Sequence, residues 1–240
     1  MNLLRPLKFL LPVVVGTSML MGATTLSAQA ASGTPTPKTL INDAKASMLA
    51  VKGVHIEVLS THGKAKSSIV VDVGTKNGAE TILSGKQSVK IVVTPKNAYL
   101  SGNAGGLTTI MGLTAAEAKK LGTSVMVMKV GTTEYTSLDQ NLTTPILAGM
   151  LPALTNKSLR VVKGSGAHLY ALTWSTAASS TSLATTTTLD FTVGAKTLPI
   201  SESIKSSSGV GTTTFTKWNE AVKVTVPAKS SLVSYSHVFG

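Results

Sequence analysis

The sequence predicts an α+β fold, in which a few helices pack against one large, curved antiparallel sheet. Three observations support this. Runs with period-two alternation of apolar and polar residues recur along most of the chain. Glycine- and asparagine-containing turn signals separate these runs at the spacing of hairpins, and Asn77-Gly78 is the strongest of them. Helical periodicity is confined to the start of the fold and to two apolar insertions.

The first helix is predicted where apolar residues recur at helical spacing from Leu40 to Val51, and Gly53 is expected to end it. Twelve candidate segments follow, in two groups, and predict a sheet of about eleven strands. The predicted strands are residues 54–59, 66–73, 79–84, 88–94, 98–100, 125–130, 159–163, 168–175, 185–193, 200–206, 210–215 and 222–226.

Two helical insertions interrupt the strands. The first begins in the apolar segment after residue 104 and includes a capping box, in which Thr114 and Glu117 satisfy each other's backbone amides. That helix should run to Leu121 and stop at Gly122. The second insertion is predicted as helices over residues 135–142 and 144–154.

The first thirty residues are typical of a secretory signal peptide. Arg5 and Lys8 precede an apolar stretch over 9–21, and Ala28-Gln29-Ala30 is a small-residue cleavage site. The apolar stretch is shorter than the roughly 20 residues of a spanning helix, so we expect cleavage rather than anchoring. The chain has no cysteine, so it lacks a site for lipidation. We therefore expect a protein that is soluble after cleavage and is secreted, periplasmic or held in the cell envelope.

The domain organisation follows from these boundaries. Residues 1–30 form the signal peptide, 31–37 a flexible leader, 38–228 a single folded domain, and 229–240 a C-terminal tail that we expect to be only marginally ordered.

Charge and composition argue against nucleic acid as a partner. The chain carries 22 basic and 10 acidic residues, a formal net charge of +12. Beyond the signal peptide, however, it has one arginine, Arg160, and aromatic residues make up only 4% of the whole. We interpret the lysines mainly as a solvated surface. The alternative is that they make transient contact with an anionic membrane surface or the cell wall.

The sequence contains no recognisable catalytic pattern, so we predict a protein that is not an enzyme and needs no cofactor or metal. It has no G-x-S-x-G elbow, no Ser-x-x-Lys pair and no phosphate loop. His55, Glu57 and His62 would allow a metal site, but no further ligand is implied by their spacing. We expect these three residues to lie on a half-exposed strand.

The insertions supply the candidate binding residues, which are long, flexible aliphatics at roughly helical spacing. They could fill the core, line a ligand pocket, or do both. The predicted lipid-binding residues are Leu107, Ile110, Met111, Leu113, Leu147, Met150 and Leu151.

Several short sequence segments resemble those of the LolA-like lipoprotein carriers, including the LppX and LprG type of actinobacteria. They lie at residues 98–103, 112–118, 215–220 and 222–227. The resemblance implies an incomplete antiparallel barrel of about eleven strands, wrapped on helices and enclosing an apolar cavity for acyl chains. It also implies a monomeric, non-enzymatic carrier of lipid or lipoprotein acyl groups, although the lipidation cysteine is missing here. The alternative is an envelope structural or interaction module with a packed core and a basic surface.

Overall fold

The computed structural model describes residues 34–156, 158–164, 169–179 and 183–240, so the expected signal peptide lies outside the described residues. Twelve strands form one sheet in the order β12-β6-β5-β4-β3-β2-β1-β11-β10-β9-β8-β7. The strands are β1 Gly53–His62, β2 Ala65–Gly74, β3 Gly78–Ser84, β4 Gln87–Val93, β5 Asn97–Gly102, β6 Val125–Lys129, β7 Arg160–Lys163, β8 Leu169–Thr176, β9 Thr185–Thr192, β10 Leu198–Ser206, β11 Gly209–Thr216 and β12 Leu232–Ser234.

The sheet is open, with β7 at one edge and β12 at the other. Strands β1 to β11 pair with one another only in antiparallel orientation, whereas β12 pairs parallel to β6. One face of the sheet is apolar because alternate residues of each strand point to the same side. On β2, for example, Ile69, Val71 and Val73 are buried, while Val70 between them is exposed. The predicted α+β class with a large curved antiparallel sheet is confirmed.

Helices cover the apolar face, which we call the inner face. Helix α1 (Pro37–Leu49) packs on β10 and on the 3-10 helix (Thr144–Met150). That 3-10 helix packs on α4 (Thr133–Leu142). Helix α4 in turn lies across β2 to β6. Helices α2, α3 and α5 pack in sequence near β4, β5 and β6. The bounds are α1 Pro37–Leu49, α2 Ala104–Thr109, α3 Ala115–Leu121, α4 Thr133–Leu142, the 3-10 helix Thr144–Met150, a short 3-10 turn Lys229–Ser231, and α5 Tyr235–Phe239. No described helix is both long and apolar enough to span a bilayer.

The capping box predicted for α3 is present. The Thr114 N–H donates to Glu117 Oε2 at 2.7 Å, and the Glu117 N–H donates to Thr114 Oγ1 at 3.2 Å. The helix ends at Leu121, and Gly122 follows with a φ of 56°, a value that favours glycine. The capping box fixes the start of the helix and the conformation of Gly122 its end, which is why the sequence alone predicted its bounds.

The first helix ends earlier than predicted. Helix α1 stops at Leu49, and Gly53 is instead the first residue of β1. A Cβ at Gly53 would lie 2.7 Å from the carbonyl oxygen of Glu220 and 2.9 Å from that of Val73. Gly53 is therefore required by the close approach of two other backbone segments, and not as a helix terminator.

Three further predictions are wrong in detail. Residues 144–154 do not form an α-helix, because only Thr144–Met150 is helical and it is a 3-10 helix. Residues 222–226 form no strand; Val222 instead packs over Gly53 and Gly74. Residues 229–240 are not marginally ordered, because they form β12 and α5, with Val238 fully buried. The domain boundaries themselves stay a prediction.

Candidate functional site

The structure places all seven predicted lipid-binding residues in or against one apolar cluster. Leu107 and Leu147 are completely buried, as core residues are. The other five are only partly buried and pack against that core; they are Ile110, Met111, Leu113, Met150 and Leu151. The residues therefore divide into two that fill the interior and five that keep aliphatic surface accessible.

Two insertions bring these residues to the core by different routes. Helix α2 carries Leu107 and packs on β4 and β5. The 3-10 helix carries Leu147 and Met150 and packs between α1 and α4. Its preceding residue, Thr143, forms a bridge to Gly74 at the end of β2. The 3-10 helix thus begins at a strand end and lies within the helical layer that covers the inner face.

A row of residues crosses the inner face from strand to strand. Cross-strand neighbours on one face of a sheet lie in contact, and here the row is aliphatic or aromatic except at one position. That position is Glu80 on β3, paired with Val71 on one side and Ile91 on the other. The full row is Phe215, Ile56, Val71, Glu80, Ile91, Leu100 and Met126.

Glu80 is the least expected residue of the interior. It is only 3% exposed, and among the described residues no group hydrogen-bonds its Oε2. Burial raises the pKa of this carboxyl to about 7, because desolvation disfavours its charged form. Below that pH the side chain is a neutral carboxylic acid, able both to donate and to accept a hydrogen bond.

A second carboxyl lies on the inner face, on β10. Glu202 pairs with Leu189 and Thr213, both of which are buried. Burial also raises the pKa of Glu202, and the Thr213 hydroxyl, which donates to Glu202 Oε2 at 3.2 Å, opposes that rise. Strands β2, β1 and β11 separate it from β3. Glu202 Oε2 thus has a hydrogen-bond partner, whereas Glu80 Oε2 has none within the described part of the chain.

The sequence analysis missed both carboxyls, although it placed their strands well. Period-two alternation puts Glu80 on the face of Ile82, which is buried. The signal was therefore a charged residue in phase with the buried positions of a strand. The sequence alone did not show which face of β3 is buried, because Ile82 and Leu83 are both apolar and lie on opposite faces. The position of Glu80 could be recognised only once the structure showed that the face of Ile82 is the buried one.

Outside the core, His55 lies between two carboxylates on the opposite, outer face. Its Nδ1 is 2.7 Å from Asp72 Oδ1, and its Nε2 is 3.2 Å from Glu57 Oε1. The hydrogen bond to Asp72 is the largest cause of a raised His55 pKa. His62 does not join them; its Nδ1 lies 3.5 Å from Ser208 Oγ at the far end of β1. Within the described ranges no group of three or more His, Cys, Asp or Glu residues could hold a metal.

A cleft of about 250 Å³ opens where β2 turns into β3. Two lysines and polar turn residues line it, so it differs in chemistry from the aliphatic insertions. Its lining is Lys52, Gly74, Thr75, Lys76, Asn77, Ala221 and Val222.

Comparison with known proteins adds two solved structures. The chain is similar to the Mycobacterium tuberculosis lipoprotein LppX, with 18% identity over 79% of this chain and 98% of that one, at a TM-score of 0.44. It is similar also to LprF from Mycobacterium bovis, with 14% identity over 82% of this chain and all of that one, at a TM-score of 0.48. No family model matches the sequence, and no curated protein matches it. What this chain binds has to be argued from its own residues.

Proposed function

We propose that this protein is an exported, non-enzymatic and monomeric carrier that binds a lipid or a lipoprotein acyl chain. The observation that carries the proposal is the division among the predicted binding residues. Five aliphatic side chains of the insertions pack on the core yet keep part of their surface accessible. Aliphatic surface next to an apolar sheet face suits the hydrocarbon part of a ligand.

The hydrophobic free energy gained by burying an acyl chain is large enough to hold a lipid. Burial of one CH₂ group contributes about 0.8 kcal/mol, so a sixteen-carbon chain offers about 12 kcal/mol before the costs of association and ordering. Met111 and Met150 suit this task because a methionine side chain adapts its shape to different apolar partners.

The basic surface supports a further part of the proposal, which is transient contact with an anionic membrane surface or cell wall. Lys64, Lys86 and Lys205 are exposed at the hairpin ends of the sheet, and Lys52 and Lys76 at its opposite end. Because lysines lie at both ends, this attraction would be diffuse and would weaken with salt.

The test is lipid extraction. The protein, purified without detergent from an envelope-containing host and after incubation with several lipid classes, is extracted with organic solvent and the extract analysed by mass spectrometry. We expect stoichiometric lipid with the unaltered chain, and a clear loss with Met150→Gln. The matched control is Leu59→Gln on the outer face, where the native side chain is 57% exposed.

No lipid from the unaltered protein under any of these conditions would reject the carrier and favour the envelope interaction module. Equal loss from both variants would show that the effect is not specific to the insertion.

A further inference from the structure

Glu80 is placed where a carboxyl group costs free energy without a protein partner to offset it. A buried hydrogen-bonding group left unsatisfied costs about 1–3 kcal/mol. Its row neighbours Val71 and Ile91 offer no side-chain donor, and their exposed fractions are only 3% and 0%. An aliphatic residue of similar length would fill the same position without that cost.

The elements around Glu80 belong to the proposed lipid site. Helix α4 lies over β2, β3 and β4, so it covers the stretch of sheet that contains Glu80. The end of α4 lies directly on β3, because a Cβ at Gly78 would collide with the backbone carbonyl of Leu142. The 3-10 helix with Met150 continues from that point. Glu80 is therefore two residues along β3 from the junction where the second insertion begins.

Glu202 shows what an inner-face carboxyl looks like when the protein satisfies it. It receives the Thr213 hydroxyl from the neighbouring strand. The corresponding cross-strand neighbours of Glu80 are aliphatic, so within the described chain its Oε2 has no donor. The difference between these two carboxyls indicates that Glu80 is kept for a partner from outside the chain.

We propose that Glu80 is the polar binding residue of the lipid site, and that it hydrogen-bonds a neutral hydroxyl-bearing head of a long-chain lipid. This inference rests on the proposed function and names its ligand class. A phosphate head would carry its own negative charge into a low-dielectric interior that offers no cation among the described residues to neutralise it beside Glu80, which is unfavourable. An ammonium head would require two desolvated charges, whereas a hydroxyl requires none.

The chemistry of the free side chain fits a neutral partner. Since burial raises the Glu80 pKa to about 7, the group is protonated in mildly acidic solution. In that form its carbonyl oxygen accepts a hydrogen bond from a hydroxyl, and its own O–H donates one to the hydroxyl or to an adjacent ester oxygen.

The experiment compares two probes that share a chain and differ in one group, 1-hexadecanol and n-hexadecane. Each is supplied from cyclodextrin below pH 7, and bound probe is quantified by gas chromatography after gel filtration. We expect the unaltered protein to prefer 1-hexadecanol by about tenfold, which is the effect of one well-formed hydrogen bond. We expect Glu80→Leu to bind both probes alike and Glu80→Gln to keep part of the preference.

Glu202→Gln is the matched control, because it alters an inner-face carboxyl that already has a partner; it should keep the full preference. Equal binding of the two probes by the unaltered protein, or an undiminished preference in Glu80→Leu, would overturn the assignment of Glu80 while leaving the carrier intact. Failure of the unaltered protein to bind either probe or any extracted lipid would reject the carrier itself, and this assignment with it. Thermal unfolding of each variant confirms folding, and Glu80→Leu should be at least as stable as the unaltered chain.

Discussion

At the residue scale, the pH dependence of stability should report on Glu80. Its pKa is raised from 4.5 to about 7 in the folded protein, so between these values the folded state binds more protons than the unfolded state. The free energy of unfolding must therefore fall as pH rises through this window, by about 3 kcal/mol in total. Denaturant unfolding of the unaltered chain and of Glu80→Gln across this range measures the effect. The variant should lose the part of the slope that Glu80 contributes and keep the part that comes from Glu202, whose pKa burial also raises.

His55 supplies an internal comparison. Its pKa is raised by the hydrogen bond to Asp72, so its stabilising contribution is complete below 6.5 and is lost as pH rises through the higher folded value. His55→Gln should therefore reduce the slope of the stability curve above 6.5 and leave the slope between 4.5 and 6.5 unchanged. A slope between 4.5 and 7 that is undiminished in Glu80→Gln would mean that the carboxyl is not buried as described.

Gly78 should tolerate no side chain. A Cβ there would overlap the backbone of Leu142 where α4 meets β3, so Gly78→Ala must separate the two elements. We expect a loss of about 1–3 kcal/mol in the free energy of unfolding, as for an overpacked core. Gly149→Ala is the control, since nothing lies within 4 Å of a Cβ at that position. Similar stability of the two variants would contradict the close contact of α4 with the sheet.

At the element scale, the C-terminal residues close one edge of the sheet. Strand β12 pairs parallel to β6, and α5 packs on α3 and β6 with Val238 fully buried. Lys120 Nζ also donates to the carbonyl of Gly240 at 3.2 Å. These contacts join the last residues of the chain to its middle.

We therefore expect Val238→Ala to lower the free energy of unfolding by about 1–2 kcal/mol, since it removes two buried methyl groups. His237→Ala, at an exposed neighbouring position, should have little effect. Chemical denaturation measures both. If Val238→Ala were as stable as the control, the tail would be as loosely held as the sequence suggested.

The elements that the sequence predicted well are those specified by local chemistry. The capping box of α3 and the alternation of β2 and β3 lie within a few residues, so their bounds could be inferred. The role of Gly53 depends on Glu220, far along the chain, and β12 depends on pairing with β6. Such long-range contacts leave no local pattern. For the same reason the aliphatic candidates could be proposed from their local spacing, whereas the burial of Glu80 could not.

At the scale of the whole molecule, the protein is an open sheet whose apolar face is covered by helices. Helices α1 and α4 and the 3-10 helix between them form the cover, and the insertions present partly accessible aliphatic surface beside it. Glu80, whose Oε2 has no hydrogen-bond partner among the described residues, lies on the face beneath. Together these features suit a ligand with a long hydrocarbon chain and a small neutral polar group.

The most direct test of this account is photo-cross-linking with a 1-hexadecanol that carries a diazirine near the end of its chain, followed by peptide mapping. The account predicts that the label falls on the peptides of α2 and the 3-10 helix, within residues 104–113 and 144–151, and that excess 1-hexadecanol competes with it. Labelling confined to outer-face peptides, or no saturable labelling at all, would contradict it.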